Sequence, residues 1–130
     1  METIPLKLMI IDDNARFRTL VRSIVSTRSD EVLELDDGQY VTENYADFHP
    51  DWVLMDIKMK QVDGLQATRR LIHEFPEARV IILSNYTNKR MVLKGLEFGA
   101  KAYLPKEDIF AVQKFIRPTT AGEYHAVTTR

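Results

Sequence analysis

The chain contains no cysteine. Disulfides, thiolate catalysis and cysteine-ligated zinc are excluded with it. Only three histidines occur, His49, His73 and His125, and they are scattered rather than grouped as metal ligands. Neither sign of charge predominates: 18 basic residues face 19 acidic ones, for a net charge of −1. That balance removes the electrostatic argument for direct nucleic-acid binding or for a membrane surface. Long apolar runs are missing too. The first run, Leu6 to Ile11, is too short for a signal peptide or a membrane span, and no small-residue cleavage site accompanies it. A soluble, cytoplasmic protein is the expectation. There is no Gly-x-x-x-x-Gly-Lys loop, which excludes P-loop nucleotide binding, and no Gly-rich turn follows the first apolar run, which excludes a dinucleotide fold.

What is present is enough for one folded domain. The chain has 130 residues, and 45% are hydrophobic, so a substantial core can form. Short apolar runs alternate with longer helical patterns. LKLMII (6–11), EVLEL (31–35), WVLM (52–55), VIIL (80–83) and AYL (102–104) read as strands. Between Asn14 and Ser26, Phe17, Leu20, Val21, Ile24 and Val25 form the stripe of an amphipathic helix. Further helices are expected over 39–48, 65–75, 88–98 and 107–116, with Gly99 capping the one over 88–98. Trp52, the only tryptophan, reads as core. Five strands alternating with five helices predict an α/β fold, a five-stranded parallel sheet with helices on both faces. The domain is expected over 1–118, with 119–130 as a short C-terminal tail.

In such a sheet, ligands bind beyond the carboxyl ends of the strands. The first strand ends in Asp12-Asp13, the third in Asp56 and the fourth in Ser84, and Lys106 follows the fifth. Each has a plain structural role open to it. The two aspartates can cap the first helix, Asp56 can be a loop residue, and Lys106 can be a solvated surface lysine. Taken together they suggest more. Converging carboxylates repel one another unless a cation sits among them. A donor set of oxygens alone suits a hard ion such as Mg²⁺. A nearby hydroxyl and ammonium suit a phosphoryl group.

LMIIDDN (8–14), VLMDIKM…DG (53–64), VIILSNY (80–86) and GAKAYLPK (99–106) together resemble the receiver domain of two-component response regulators. The resemblance covers about residues 6–117. It implies a doubly wound, flavodoxin-like fold and a signalling switch rather than a turnover enzyme. It also implies roles. Asp56 accepts a phosphoryl group from a phosphohistidine on a sensor histidine kinase or phosphotransfer protein. Asp12, Asp13, Asp56 and the carbonyl of Lys58 hold Mg²⁺ (or Mn²⁺), Asp13 directly and Asp12 mostly through water. Ser84 and Lys106 meet the phosphoryl oxygens, and Tyr103 is the aromatic that moves with Ser84. The output surface is then about 87–117. A homodimer is a further expectation, and the start of the first helix, Ala15 to Phe17, is the expected kinase contact.

The chain departs from that pattern in places. Lys60 stands where the loop after the phosphoacceptor normally has proline. Glu107 follows Lys106 where proline is common. Asn85 replaces a small residue, and Lys58 and Tyr86 occupy positions that tune loss of the phosphoryl group, so shielding by Tyr86 is expected to prolong the phosphorylated state. Two other readings follow. One is a constitutive interaction module that keeps the fold but does not switch. The other is an aspartyl phosphohydrolase, which would need an acid–base Asp where this chain has Lys58.

Overall fold

The computed structural model describes residues 4–118; the expected tail, 119–130, lies outside the described residues. The elements are β1 (Lys7–Ile11), α1 (Ala15–Val25), β2 (Glu31–Leu35), α2 (Val41–Phe48), β3 (Trp52–Met55), α3 (Gly64–Glu74), β4 (Val80–Ser84), α4 (Lys89–Glu97), β5 (Ala102–Pro105), a 3₁₀ segment (Lys106–Ala111) and α5 (Val112–Ile116). The strands form one parallel sheet in the order β2-β1-β3-β4-β5. Hydrogen-bonded neighbours that are not consecutive in sequence require crossovers, and the helices supply them.

Strand alternation divides the core in two. Met9, Ile11, Val53, Met55, Val80 and Ile82 face one side, where Val41, Tyr45, Ala67 and Leu71 of α2 and α3 cover them. Leu8, Ile10, Leu54, Ile81 and Leu83 face the other, against Val21 and Val25 of α1 and Val112 and Ile116 of α5. Trp52 is buried in this second layer, and the Arg79 guanidinium lies 4.6 Å from its ring. The central strands β3 and β4 are buried at every residue, which explains their unbroken apolar runs. The edge strands β2 and β5 are mostly half-buried.

The helices begin where the side chains allow it. Asn14, Asp63 and Asn88 each accept a backbone N–H from three residues on, capping α1, α3 and α4. Gly99, at φ 109°, takes the left-handed turn that follows α4.

The last predicted helix differs. Its first half is 3₁₀, and Asp108 (φ −103°, ψ 38°) leaves helical geometry, so only Val112–Ile116 is α-helical. The apolar spacing of Ile109, Val112 and Ile116 survives because all three still reach the same core.

Candidate functional site

Three of the predicted acids meet at the carboxyl edge of the sheet. Asp12 follows β1 and Asp56 follows β3, the two central neighbours in that half of the sheet. The Asp56 N–H donates to the Ile11 carbonyl at 2.9 Å, so the two strand ends stay in register. Asp12, Asp13 and Asp56 each offer an oxygen within 4.8 Å of the others. Asp12 and Asp56 are buried, at 2% and 6% exposure, while Asp13 is exposed. Neither Asp12 nor Asp13 caps α1, because Asn14 does that. Asp12 instead accepts the Asn14 N–H at 2.9 Å, and its own carbonyl accepts from Arg18 at 2.6 Å. Arg18 is held in turn by Glu34 at 2.9 Å.

Lys106 bridges the buried pair. Its Nζ lies 2.7 Å from Asp12 Oδ2 and 3.4 Å from Asp56 Oδ1, and it sits 4.3 Å from the centroid of the Phe17 ring. Burial first, and the Asp12 charge second, raise the Asp56 pKa against the opposing Lys106 ammonium, to about 6. Asp56 is therefore ionised at neutral pH and still burdened by an uncompensated neighbour. Hard carboxylate oxygens with surplus negative charge are the donor set that Mg²⁺ prefers, so the residues present fit such an ion.

Ser84 is fully buried at the end of β4, and its Oγ accepts the Tyr86 N–H at 2.9 Å. Tyr103, half-buried on β5, donates its hydroxyl to the Tyr86 carbonyl. Burial raises the Tyr103 pKa; Ser84 lowers it and the Asp56 charge raises it. Tyr86 thus links Ser84 to Tyr103 through its own backbone. Its side chain is exposed, and Lys58 Nζ lies 5.4 Å from its ring centroid. Lys58 and Tyr86, two residues beyond Asp56 and Ser84, are therefore in contact.

Several contributors were not legible beforehand. Gly64 lies against the Asp56 backbone, where a Cβ would collide with the Asp56 carbonyl oxygen. A Cβ at Gly95 would come within 2.8 Å of both Ile82 and the Tyr103 ring. Gly64 closes the quoted 53–64 motif and Gly95 sits in ordinary helical sequence, but only the fold reveals the close approach of each. Arg18 reads as a solvated helix residue until β2 brings Glu34 beside it.

Residues 8–115 match the family described as response regulator receiver domain. The transcriptional regulatory protein DegU of Brevibacillus brevis is 36% identical over 104 residues, which cover 78% of this chain and 44% of that protein. The chain thus spans less than half the length of that relative. The chemotaxis protein CheY of Listeria monocytogenes is 35% identical over 102 residues, 78% of this chain and 86% of that protein. The fold matches the CheX–CheY–BeF3–Mg²⁺ complex of Borrelia burgdorferi with a TM-score of 0.78 at 23% identity, covering 86% of this chain and 90% of that one. The chain belongs to the response regulator receiver domains, the phosphorylatable receivers of two-component signalling.

Proposed function

We propose that Asp56 is the phosphoacceptor of this receiver. The observation that carries the assignment is the position of Lys106, whose ammonium bridges the two buried carboxylates of a three-carboxylate cluster. The Asp56 carboxylate attacks phosphorus in a phosphohistidine of a sensor histidine kinase or phosphotransfer protein. The Oδ–P bond forms as the P–N bond breaks, and histidine leaves with its electron pair. Asp12, Asp13, Asp56 and the Lys58 carbonyl would hold Mg²⁺ (or Mn²⁺), which neutralises charge on the transferring oxygens. The BeF3 and Mg²⁺ named in the Borrelia burgdorferi complex support this by likeness of fold. Lys106 pairs with one phosphoryl oxygen, and the Ser84 hydroxyl donates to another, exchanging its present bond to the Tyr86 N–H.

That exchange is the switch. Ser84, Tyr86 and Tyr103 are already tied together, so movement of Ser84 draws on the Tyr103 ring and on α4 against it. The affected surface carries Leu93, Leu96 and Phe110, all exposed, beside a groove of about 990 Å³ lined in part by Val92, Tyr103 and Leu104. Apolar patches of this kind mark interaction sites, and a second copy of the chain is the occupant we assign. The protein acts in the cytoplasm, assists only its own phosphorylation and dephosphorylation, and does not itself contact nucleic acid. No described helix is long and apolar enough to cross a membrane.

Beryllofluoride with Mg²⁺ tests the assignment. It is expected to shift the amide NMR signals of Ser84, Tyr86 and Tyr103 in the wild type and to leave Asp56→Asn unchanged. Equal shifts in both proteins would overturn the role of Asp56, and no shift in the wild type would favour a constitutive module.

A further inference from the structure

The turn after β2 carries Asp36-Asp37-Gly38, and the mechanism above uses none of the three. Asp37 nevertheless reaches across to the loop that follows Asp56. Its Oδ1 accepts the Gln61 N–H at 2.8 Å. Its Oδ2 accepts the Val62 N–H at 3.1 Å and the Gln39 N–H of its own turn at 2.8 Å. The Gly38 N–H donates to the Val62 carbonyl at 3.2 Å, and a Cβ at Gly38 would press on that same oxygen. The other end of the loop is closed separately, by Gly64 N–H donating to the Ile57 carbonyl at 2.7 Å. Residues 58 and 59 lie between these two pins.

Lys60 is exposed, and none of residues 58–60 is a proline that would fix the backbone there. Without that ring, the loop depends on bonds from outside itself. Burial alone would raise the Asp37 pKa, but the amides of Gln61, Val62 and Gln39 hold it below the usual carboxylate range. The acceptor is therefore charged at neutral pH, which strengthens each bond.

We propose that Asp37 is a positioning residue for the cation site: its carboxylate pins the loop after Asp56 and so holds the Lys58 carbonyl where a metal ligand is needed, compensating for the missing proline at position 60. The proposal rests on the cation assignment made above. It gives the end of β2 a part in the site, so that all five strand ends contribute to one edge of the sheet. Asp37 touches neither the ion nor the phosphoryl group and acts through the loop.

The test is Mg²⁺ affinity, measured by titration calorimetry on the full chain, with thermal melts to verify folding. Asp37→Ala is expected to weaken binding by about tenfold or more, the usual cost of losing a residue that orients a ligand. Asp37→Asn keeps one acceptor oxygen and is expected to fall between. Adding Lys60→Pro to Asp37→Ala is expected to restore affinity to within roughly threefold of the wild type, a small part of that loss. Lys60→Ala in the same background removes the same charge without the ring, and is expected to restore nothing. Wild-type affinity in Asp37→Ala would overturn the proposal. So would equal weakening in Asn and Ala that proline does not relieve, since that is the mark of a lost charge alone. If Asp37→Ala does not fold, Asp37→Asn against the wild type decides, and wild-type affinity in Asp37→Asn overturns the proposal. Asp13→Asn separates the two levels: if it leaves Mg²⁺ binding intact, the cation assignment falls and the clamp with it. If it abolishes binding while the Asp37 variants match the wild type, only the clamp falls.

Discussion

A carboxylate that is 6% exposed beside a second buried one is helped to stay ionised by Lys106, 3.4 Å away. The pKa near 6 measures how incomplete that compensation is. The native state holds a proton at Asp56 more readily than the unfolded chain, whose ordinary value is 3.8. Stability from this group is therefore highest below about pH 4 and falls as pH rises toward 6. In the absence of Mg²⁺, Asp56→Asn is expected to be more stable than the wild type at pH 7, by ~2–3 kcal/mol at most. The advantage is expected to vanish near pH 4. Urea unfolding at the two pH values measures both, and a less stable Asn variant at pH 7 would contradict the charge balance drawn here. Asp13→Ala is expected not to lower the metal-free melting temperature, because Asp13 is exposed and Asn14 does the capping. A clear drop would assign Asp13 a structural role.

At the scale of elements, α4 and the loop before it connect the site to the surface. Gly95 lets α4 approach closely enough for Tyr103 and Ile82 to pack beneath it. In a free helix Gly→Ala is stabilising by up to about 1 kcal/mol. Here the added Cβ overpacks a filled space, which costs typically ~1–3 kcal/mol. Gly95→Ala is therefore expected to lower the urea midpoint, and a raised midpoint would show that the Tyr103 ring yields freely. Lys58 and Tyr86 form a cation–π pair. Tyr86→Ala is expected to shorten the phosphorylated lifetime by roughly two- to fivefold, what ~0.5–1 kcal/mol of such contact represents. Phosphate release after removal of the donor measures it.

The elements also mark what was readable beforehand. The strands were, because buried parallel strands leave unbroken apolar runs, and with them the strand ends that hold Asp12, Asp56 and Ser84. The 3₁₀ segment was not, since Ile109, Val112 and Ile116 face the core in either geometry. Asp37, Arg18 and Gly95 were invisible because their partners, Gln61 and Val62, Glu34, and Tyr103, lie on other elements and no local pattern encodes the pairing.

For the whole molecule, the parallel topology brings Asp12, Asp13, Asp56 and Lys106 together at one edge of the sheet, while Leu93, Leu96 and Phe110 stay exposed. If the face these three mark accepts a second copy, sedimentation velocity with Mg²⁺ and beryllofluoride is expected to show a dimer that Phe110→Glu abolishes. A monomer in both proteins would assign the face to another partner. In the function proposed above, the carboxyl edge of the sheet serves the phosphorylation of Asp56. Intact mass after incubation with Mg²⁺ and acetyl phosphate tests it most directly. The wild type is expected to gain the mass of one phosphoryl group, and Asp56→Asn or chelation of the metal to prevent it. An equal gain in Asp56→Asn, or none in the wild type with metal present, would contradict the account.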